Sequence, residues 1–444
     1  MNGQFDILIV GDDEASLAAA AAAAKAGAHI AVLRLPARKK RSPAATPAVP
    51  NFVWRRLDLQ DYDLTLEPVS ACVTLLKEGA PVASYLSARE TAAGLEAAGL
   101  EDHLVWSDFH TDMAALAEEG YLTNALFRGE APSVRQFAAF LGAPQSLGKA
   151  ARLFGPCADM LDDYFTDAGL KTHVAAHALS PAGAGPREAG TSAALLEFLE
   201  ADAWRVRTPK DSPSLRAVLE RVCQDAGVVF IAEKIVAATS SSAKQVTISF
   251  ANEDKIKVKT VFFATPDMAA VMGARGGACM NGLGYKGHAV FTMRFRLADE
   301  VAPPAGDVKA LFQIVDHADD LQNARDAAVE GRLYERLPVE FEFAPNGELI
   351  ARSSYLPAAF YEDGDWRGWT GQDRQAVAGL IRERLTSRMP GLASQIRRSE
   401  TEVAAPPSGP SPFAGCDRVI VQSRRHDAIS AAVTLIDRVM AGHE

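Results

Sequence analysis

The sequence predicts an α/β protein in which a discontinuous Rossmann-like domain encloses an inserted sheet-and-helix domain. A strand–helix–strand pattern opens the chain, a helix–strand–meander–strand pattern lies in its middle, and a short strand with a helix closes it. The 444 residues also exceed what one ordinary core contains. We therefore assign residues 1–70, 205–280 and 400–444 to the Rossmann-like domain, and residues 71–204 and 281–399 to the inserted domain.

The strand–helix–strand unit is the first element. Residues 5–10 are continuously apolar and rich in Ile and Val, which favours a buried strand. Gly11 marks a turn, an alanine-rich helix follows, and Gly27 suits the left-handed residue that ends a helix. Residues 28–34 predict a second strand. Because both strands are apolar throughout, they are expected to pair in parallel and to be covered on both faces.

Further elements are spread over the rest of the chain. Residues 35–50 and 178–192 predict exposed loops. Residues 213–226 predict an amphipathic helix, and residues 338–344 and 348–355 alternate like strands with one buried face. We also predict helices at 88–99, 107–119, 134–141, 146–167, 371–388 and 427–440, two or three strands within 64–86, a meander at 228–266, and strands at 288–297 and 417–423.

Composition disfavours several classes of protein. A formal net charge of −10 argues against a nucleic-acid binder, and no stretch reaches the roughly 20 apolar residues of a membrane span. The first residues do not resemble a secretory signal. The five scattered cysteines predict a reducing compartment without a disulfide framework or a zinc site. We expect a cytoplasmic protein, and the basic residues at 38–41 are either a solvated loop or a contact to phosphate or a membrane surface.

Five stretches carry a resemblance to a known family. They are IVGDDEASLAAAAAAAKAGAHIAVL at the front, LDDYF at 161–165, SLRAVLERVCQDAGVVFIAEKIVAA, TVFFATPDMAAVM at 260–272, and DRVIVQSRRHDAISAAVTLIDRV near the end. In their order and spacing the chain resembles the phytoene desaturase-like group of the FAD-dependent amine oxidase superfamily over nearly its whole length. The resemblance implies a discontinuous FAD-binding domain, a substrate domain, and dehydrogenation of long isoprenoids or related apolar molecules, often at a membrane surface.

The dinucleotide fingerprint G-x-G-x-x-G falls on Gly11, Asp13 and Ser16. Its first glycine permits the tight turn, the second lets the backbone approach the diphosphate, and the third allows close helix–strand packing. Only the first glycine is kept, and an acid stands at the second position. At about 5 Å and an effective dielectric of about 20, each like-charge pair with a diphosphate costs roughly 3 kcal/mol. We expect Asp12, Asp13 and Glu14 to cap the helix instead.

Other flavin contacts of the family are also altered. Arg34 stands where an acid normally holds the ribose hydroxyls; arginine cannot accept those bonds, although it could meet the 2′-phosphate of NADP. The family's Gly-Gly-Arg-like segment is missing after this strand. Gln422 and Ser423 replace a C-terminal Gly-Asp pair that contacts the flavin's ribityl and phosphate portion. These departures predict that the protein holds no tightly bound FAD.

Three functions stay open at this point. The favoured one is a cofactor-free relative, or pseudoenzyme, that acts as a binding or assembly protein for an apolar small molecule, an isoprenoid or a protein partner. Rab escort and GDP-dissociation-inhibitor proteins give a precedent, because they resemble this superfamily yet serve as binding proteins. The first alternative is an active FAD-dependent oxidoreductase with an atypical loop. The second is an NADP(H)-binding reductase, which only Arg34 and its basic neighbours support.

No residue can be assigned a catalytic role from the sequence. Asp108, His110 and Asp112 would share a face, as metal ligands do, only on a strand, whereas the pattern there is helical. We therefore expect no metal site, and His103 and these residues are interpreted as a solvated loop or a helix start. Lys286 has no specific match to a flavin-facing lysine. The sequence contains no GxSxG, HExxH or Walker motif.

Overall fold

The computed structural model describes residues 2–34, 45–47, 49, 51–118, 152–199, 205–209, 211–242, 245–264, 288–298, 301–307, 309–344, 346–404 and 419–421, together with Val433, Ile436 and Met440. The predicted helix at 134–141, the basic residues at 38–41, Lys286, Gln422 and Ser423 lie outside the described residues.

The described strands are numbered in chain order: β1 Asn2–Val10, β2 Ile30–Leu33, β3 Ala45–Pro47, β4 Glu67–Pro68, β5 Cys72–Leu75, β6 Val82–Ser84, β7 Arg205–Arg207, β8 Val229–Ile231, β9 Ile235–Ser242, β10 Gln245–Phe250, β11 Lys255–Phe263, β12 His288–Leu297, β13 Leu311–Ile314, β14 Val339–Phe343, β15 Glu348–Pro357, β16 Phe360–Glu362, β17 Asp365–Arg367, β18 Ile396–Ala404 and β19 Val419–Val421. The described helices are α1 Glu14–Lys25, α2 Asn51–Arg56, α3 Ala88–Ala97, α4 His103–Glu118, α5 Cys157–Tyr164, α6 Ala168–Leu179, α7 Ala193–Leu199, α8 Leu215–Asp225, α9 Ala318–Val329, α10 Gly371–Arg388 and α11 Leu392–Gln395.

The first large sheet has the order β8-β2-β1-β11-β10-β9, and β19 also pairs with β11. β1, β2, β8, β11 and β19 pair in parallel, whereas β9 and β10 add an antiparallel meander. The chain leaves β1 through α1 to β2 on one side, while β11 lies on the other side. The carboxyl end of β1 is therefore a topological switch point, where open α/β sheets bind their ligands.

The second large sheet has the order β18-β12-β15-β14-β13-β5-β6 and is antiparallel except for the β13–β5 pair. Two small sheets, β3-β7-β4 and β16-β17, complete the described strands. One apolar core lies on this sheet and beneath the helices α4 to α7 and α10, and two others cover the faces of the first sheet. The alanines of α1 from Ala15 to Ala23 are buried, which lets this helix lie close to the first sheet.

Several predicted elements are confirmed. The helix predicted at 371–388 has those bounds as α10, and the amphipathic helix at 213–226 is α8, with its apolar residues buried. The region 64–86 contains three strands. Within the described part of the helix predicted at 146–167, residues 152–154 are helical, Pro156 is the N-cap of α5, and α5 ends at Tyr164.

One helix was not predicted, and one expectation about burial was wrong. Residues 168–179 form α6, which the sequence pattern did not predict because nine of its residues are buried and no polar face marks its period. The strands predicted at 338–344 and 348–355 are confirmed as β14 and β15, but β14 does not have one buried face as expected. The structure instead buries all five residues of β14, because Arg205 of β7 and the end of α6 cover its polar side.

Candidate cofactor site

The turn between β1 and α1 lies at the switch point of the first sheet. Gly11 has φ 108°, a left-handed value that favours glycine, and its N–H donates to the Leu33 carbonyl at 3.0 Å. The retained glycine therefore ties the end of β1 to the end of β2. This part of a dinucleotide turn is intact.

Asp13 caps α1. Its Oδ1 accepts from the Ser16 N–H at 2.9 Å, with the extended backbone typical of an N-cap. The carboxylate thus uses one of the free N–H groups that a diphosphate would use at a helix N-terminus. Ser16, at the third fingerprint position, is fully buried.

Asp12 does not cap the helix. It is only 5% exposed, and its Oδ2 accepts a hydrogen bond from Arg216 Nη2 at 2.6 Å. Arg216 lies in the first turn of α8, 204 positions away in the sequence. A charged hydrogen bond therefore joins the cofactor turn to the helix that precedes β8.

The ion pair continues towards the end of β2. Glu220 Oε1 lies 3.7 Å from Arg216 Nη2 and 3.7 Å from Arg34 Nη2. The Arg34 guanidinium also lies 4.2 Å above the centre of the Phe230 ring, a cation–π contact. Protein groups therefore contact the arginine that could have met a 2′-phosphate, although its buried Nε has no hydrogen-bond partner.

The donors and the acids at this turn would meet FAD in opposite ways. The buried polar atoms that lack a hydrogen-bond partner here include Ser16 Oγ and Arg34 Nε, which can donate, and carboxylate oxygens of Glu14 and Glu220, which can only accept. A diphosphate brings acceptor oxygens and negative charge, so the two donors could satisfy it, whereas the carboxylates would repel it. It would also have to displace the Asp13 cap and lie beside Asp12. The acids of the turn therefore make it a poor fit for a flavin dinucleotide.

Of the remaining predicted residues, Asp108, His110 and Asp112 are not brought to this turn. Gln422 and Ser423 lie outside the described residues, although β19, which directly precedes them, pairs with β11 beside β1. Asp108, His110 and Asp112 lie on α4, where Asp112 accepts from the Tyr164 hydroxyl at 2.5 Å. Within the described part of the chain, no group of three His, Cys, Asp or Glu residues is placed to hold a metal ion. Among the described helices, none is both long and apolar enough to cross a bilayer.

Sequence reasoning missed Arg216 and Glu220, which lie on the polar side of α8. The sequence shows them only as charged residues of an amphipathic helix. No local signal pairs Arg216 with an acid 204 positions earlier, although an acid-rich turn in a buried place requires a cationic partner.

No protein-family model and no curated protein sequence matches this chain. Solved structures do match. A putrescine oxidase variant from a redesign of cofactor binding aligns over 100% of this chain and 99% of its own, with a TM-score of 0.54 at 12% identity. RAB GDI from Plasmodium falciparum aligns over 100% and 99%, with a TM-score of 0.54 at 10% identity. Cyclohexylamine oxidase from Brevibacterium oxydans aligns over 99% of each chain, with a TM-score of 0.50 at 12% identity.

These likenesses show the fold. The predicted architecture, a Rossmann-like domain of the FAD/NAD(P) type with an inserted sheet-and-helix domain, is confirmed. Putrescine oxidase, cyclohexylamine oxidase and RAB GDI share this fold. Because two oxidases and a GDI share this fold, the fold alone does not show whether the chain catalyses a reaction or binds a partner. That distinction has to be argued from the residues of the site.

Proposed function

We propose that this chain is a cofactor-free relative of the phytoene desaturase-like oxidoreductases. In this proposal it is a binding or assembly protein, and its ligand is a largely apolar small molecule, such as an isoprenoid, or a protein partner. The observation that carries the proposal is the buried hydrogen bond between Asp12 and Arg216 at the cofactor turn.

The argument rests on what that bond does to a diphosphate. Among the described residues, Arg216 reaches the turn, and Asp12 already holds it at 2.6 Å. Asp13 uses one N–H of the α1 N-terminus, that of Ser16. A cation and a helix N–H that could attract a diphosphate are therefore engaged by acids of the chain itself.

The test is a direct measurement of flavin. The purified full-length protein is denatured, released flavin is quantified, and the apo protein is titrated with FAD and with ADP by calorimetry. We expect substoichiometric flavin and no saturable binding of either nucleotide. Stoichiometric FAD would overturn the proposal in favour of an FAD-dependent oxidoreductase. NADPH binding that Arg34→Ala abolishes would overturn it in favour of a reductase.

A reversal variant tests the stated cause. Asp12→Ala with Asp13→Gly frees Arg216 and the helix N–H groups, and we expect it to gain measurable ADP affinity. Asp162→Ala with Asp163→Gly, which removes two exposed acids next to each other on α5, is the matched control and should gain none. Equal behaviour of the two variants would refute the role of the turn.

A further inference from the structure

The hairpin β16-β17 carries two exposed aromatic side chains. Its strands are joined by Asp363 and Gly364, whose φ values of 54° and 88° both lie in the left-handed region. A two-residue turn of this kind suits the twist of a hairpin, and Asp-Gly is a favoured sequence for it. Register pairs Tyr361 with Trp366, and their ring centroids lie 5.2 Å apart. Tyr361 is 49% exposed and Trp366 is 54% exposed, so much of this aromatic surface meets solvent.

The base of the hairpin is fixed to the rest of the protein. Phe360 is buried, and the Arg367 guanidinium lies 4.9 Å from the centre of its ring. Arg367 donates two hydrogen bonds to Asp373 in the first turn of α10, at 2.6 and 3.0 Å. Trp369 donates to the Pro357 carbonyl at 2.9 Å. The exposed rings are therefore presented on an anchored backbone.

The loop after α9 supports the same two aromatic residues. The Gly331 carbonyl accepts from the Tyr361 N–H at 3.0 Å. A Cβ at Gly331 would lie 2.5 Å from the Tyr361 nitrogen and 2.7 Å from the Trp366 ring, and its φ of 76° also favours glycine. Val329, two positions before this glycine, is 45% exposed. Single exposed apolar residues are ordinary, but these two neighbouring segments expose three large ones.

The charge of these segments is negative. Three exposed acids surround the hairpin turn: Glu362, Asp363 and Asp365. Arg367, the basic residue of the hairpin, already bonds two acids of the chain. Residues 318–336 carry five acids and three arginines, and residues 360–374 carry four acids and two arginines, a formal sum of −4. The exposed rings therefore lie in a field that attracts cations.

These charges favour one kind of partner. A negative surface is repelled by anionic lipid head groups and by nucleic acid. A second copy packed by two-fold symmetry would bring the same acids face to face. An arginine or lysine, in contrast, can lie over an aromatic ring and pair with a carboxylate. Tyrosine and tryptophan held in place before binding are also effective anchors for a protein partner.

We propose that the Tyr361–Trp366 pair and the acids of the hairpin turn bind an arginine- or lysine-rich segment of a partner protein. One cation of that segment lies against the aromatic pair, and others pair with Asp363 and Asp365. The inference goes beyond the proposed function, because it names a surface next to α10 rather than at the cofactor turn, together with the chemistry of its partner. It does not depend on whether the cofactor turn binds a flavin.

Two octapeptides with blocked ends serve as probes for calorimetry on the full-length protein. One alternates arginine with glycine, and the other alternates serine with glycine. We expect saturable binding of the arginine peptide alone in about 50 mM salt, and a loss of at least fivefold in affinity in about 0.5 M salt. No saturable binding of the arginine peptide, or equal binding of the serine peptide, would overturn the inference.

Two variants locate the binding on the hairpin. Trp366→Ala removes one ring and should weaken binding of the arginine peptide at least about tenfold. Asp363→Asn with Asp365→Asn removes two charges and should weaken it about fivefold. The turn is kept in this double variant, because asparagine tolerates the left-handed φ at position 363 and its amide oxygen at position 365 can still accept from the Trp366 N–H.

The matched controls are exposed residues elsewhere in the chain. Leu104 is 72% exposed on α4, so Leu104→Ala removes an exposed apolar side chain, and Glu96→Gln with Glu101→Gln removes two exposed charges. Both should leave the affinity unchanged. Circular dichroism and urea midpoints confirm that the variants fold. If the two hairpin variants bind the peptide as tightly as the controls do, the inference is overturned.

Other occupants of this surface give different outcomes. Binding to neutral phosphatidylcholine vesicles, or dimerisation in sedimentation, that Trp366→Ala abolishes while the peptide does not bind would assign the rings to a membrane or to a second copy and overturn the inference. Stoichiometric FAD in the same preparation would overturn the proposed function and leave this inference standing. Absence of FAD with unchanged peptide affinity in both hairpin variants would overturn this inference alone.

Discussion

The cofactor turn buries charge, and so does a polar band on the second sheet. This band consists of Glu340 and Glu342 of β14 with their donors Gln313, Arg352 and Arg205. The two regions differ in which acid lacks a hydrogen-bond partner for one of its oxygens. At the turn the deepest acid, Asp12, is paired with Arg216, and the unpartnered carboxylate oxygens belong to the half-exposed Glu14 and Glu220. In the polar band the deepest acid, Glu342, itself retains an unpartnered oxygen. The difference separates a turn whose deepest acid is held by a cation of the chain from a band whose deepest acid keeps one oxygen without a donor from the protein.

The largest effect is expected from breaking the polar band. Arg352→Met leaves Glu340 and Glu342 without their shared cation, and removing one partner of a buried pair costs about 3–5 kcal/mol of unfolding free energy. Urea denaturation monitored by circular dichroism measures the loss.

Lys171→Met is the matched control, because it breaks a pair with Asp162 whose side chains are 25% and 65% exposed. This variant should lose less than about 1 kcal/mol. If Arg352→Met loses no more than the control does, the polar band is solvated and the contrast with the turn disappears.

The sequence predicted the scaffold far better than these two sites. Local signals are strong for α10 and α8, because each begins at a hydroxyl-bearing N-cap, Thr370 or Ser214. The Asp13 cap is also a local feature. Of the three acids expected to cap α1, Asp13 is the one whose predicted cap the structure shows. Asp12 finds its partner 204 positions away, a distance at which no periodicity is informative.

The sequence analysis did not predict the polar band, for a different physical reason. Alternation in β14 shows that two faces differ in polarity, but it does not show whether the polar face meets water or other protein. The cover comes from β7 and from α6, and α6 has no polar face by which to recognise it. Burial of the band is a tertiary property.

An intermediate effect is expected on the pH dependence of stability. The pKa of His177 falls from 6.5 to about 3 on folding, because burial disfavours the charged ring, and Arg205 also opposes its protonation. The unfolded chain therefore binds the proton more readily than the folded chain between these values. The stabilisation that neutral His177 contributes is therefore fully present above about pH 6.5. It is lost as the pH falls towards 3, and the free energy of unfolding decreases by at most about 1.4 kcal/mol per pH unit.

His177→Phe should flatten this part of the profile, while Asp13→Ala at the turn should shift the profile without flattening it. His173, whose pKa burial also lowers, continues to contribute in both variants. The test is to measure the free energy of unfolding of both variants and of the unchanged protein across this pH range and to compare the slopes. An unchanged slope in His177→Phe would mean that the ring is not held neutral beside the polar band.

The smallest effect is expected from substitutions of Asp13, and it tests whether folding requires this acid. Asp13→Ala removes the cap of α1 and should cost about 1 kcal/mol, whereas Asp13→Gly should cost only a few tenths, because glycine is itself an acceptable N-cap. Asp167, which caps α6 through the Leu170 N–H at 2.7 Å, is the matched position for the same two substitutions.

If Asp13→Gly is nearly neutral, the fingerprint glycine could stand here without harm to the helix, and stability does not explain the acid. The barrier to a diphosphate would then lie chiefly in the Asp12–Arg216 bond, and the single variant Asp13→Gly should gain less ADP affinity than the double variant with Asp12→Ala. If Asp13→Gly instead costs as much as Asp13→Ala, the helix itself demands the carboxylate. Its presence would then be a requirement of folding, and the case against a cofactor would have to rest on Asp12 alone.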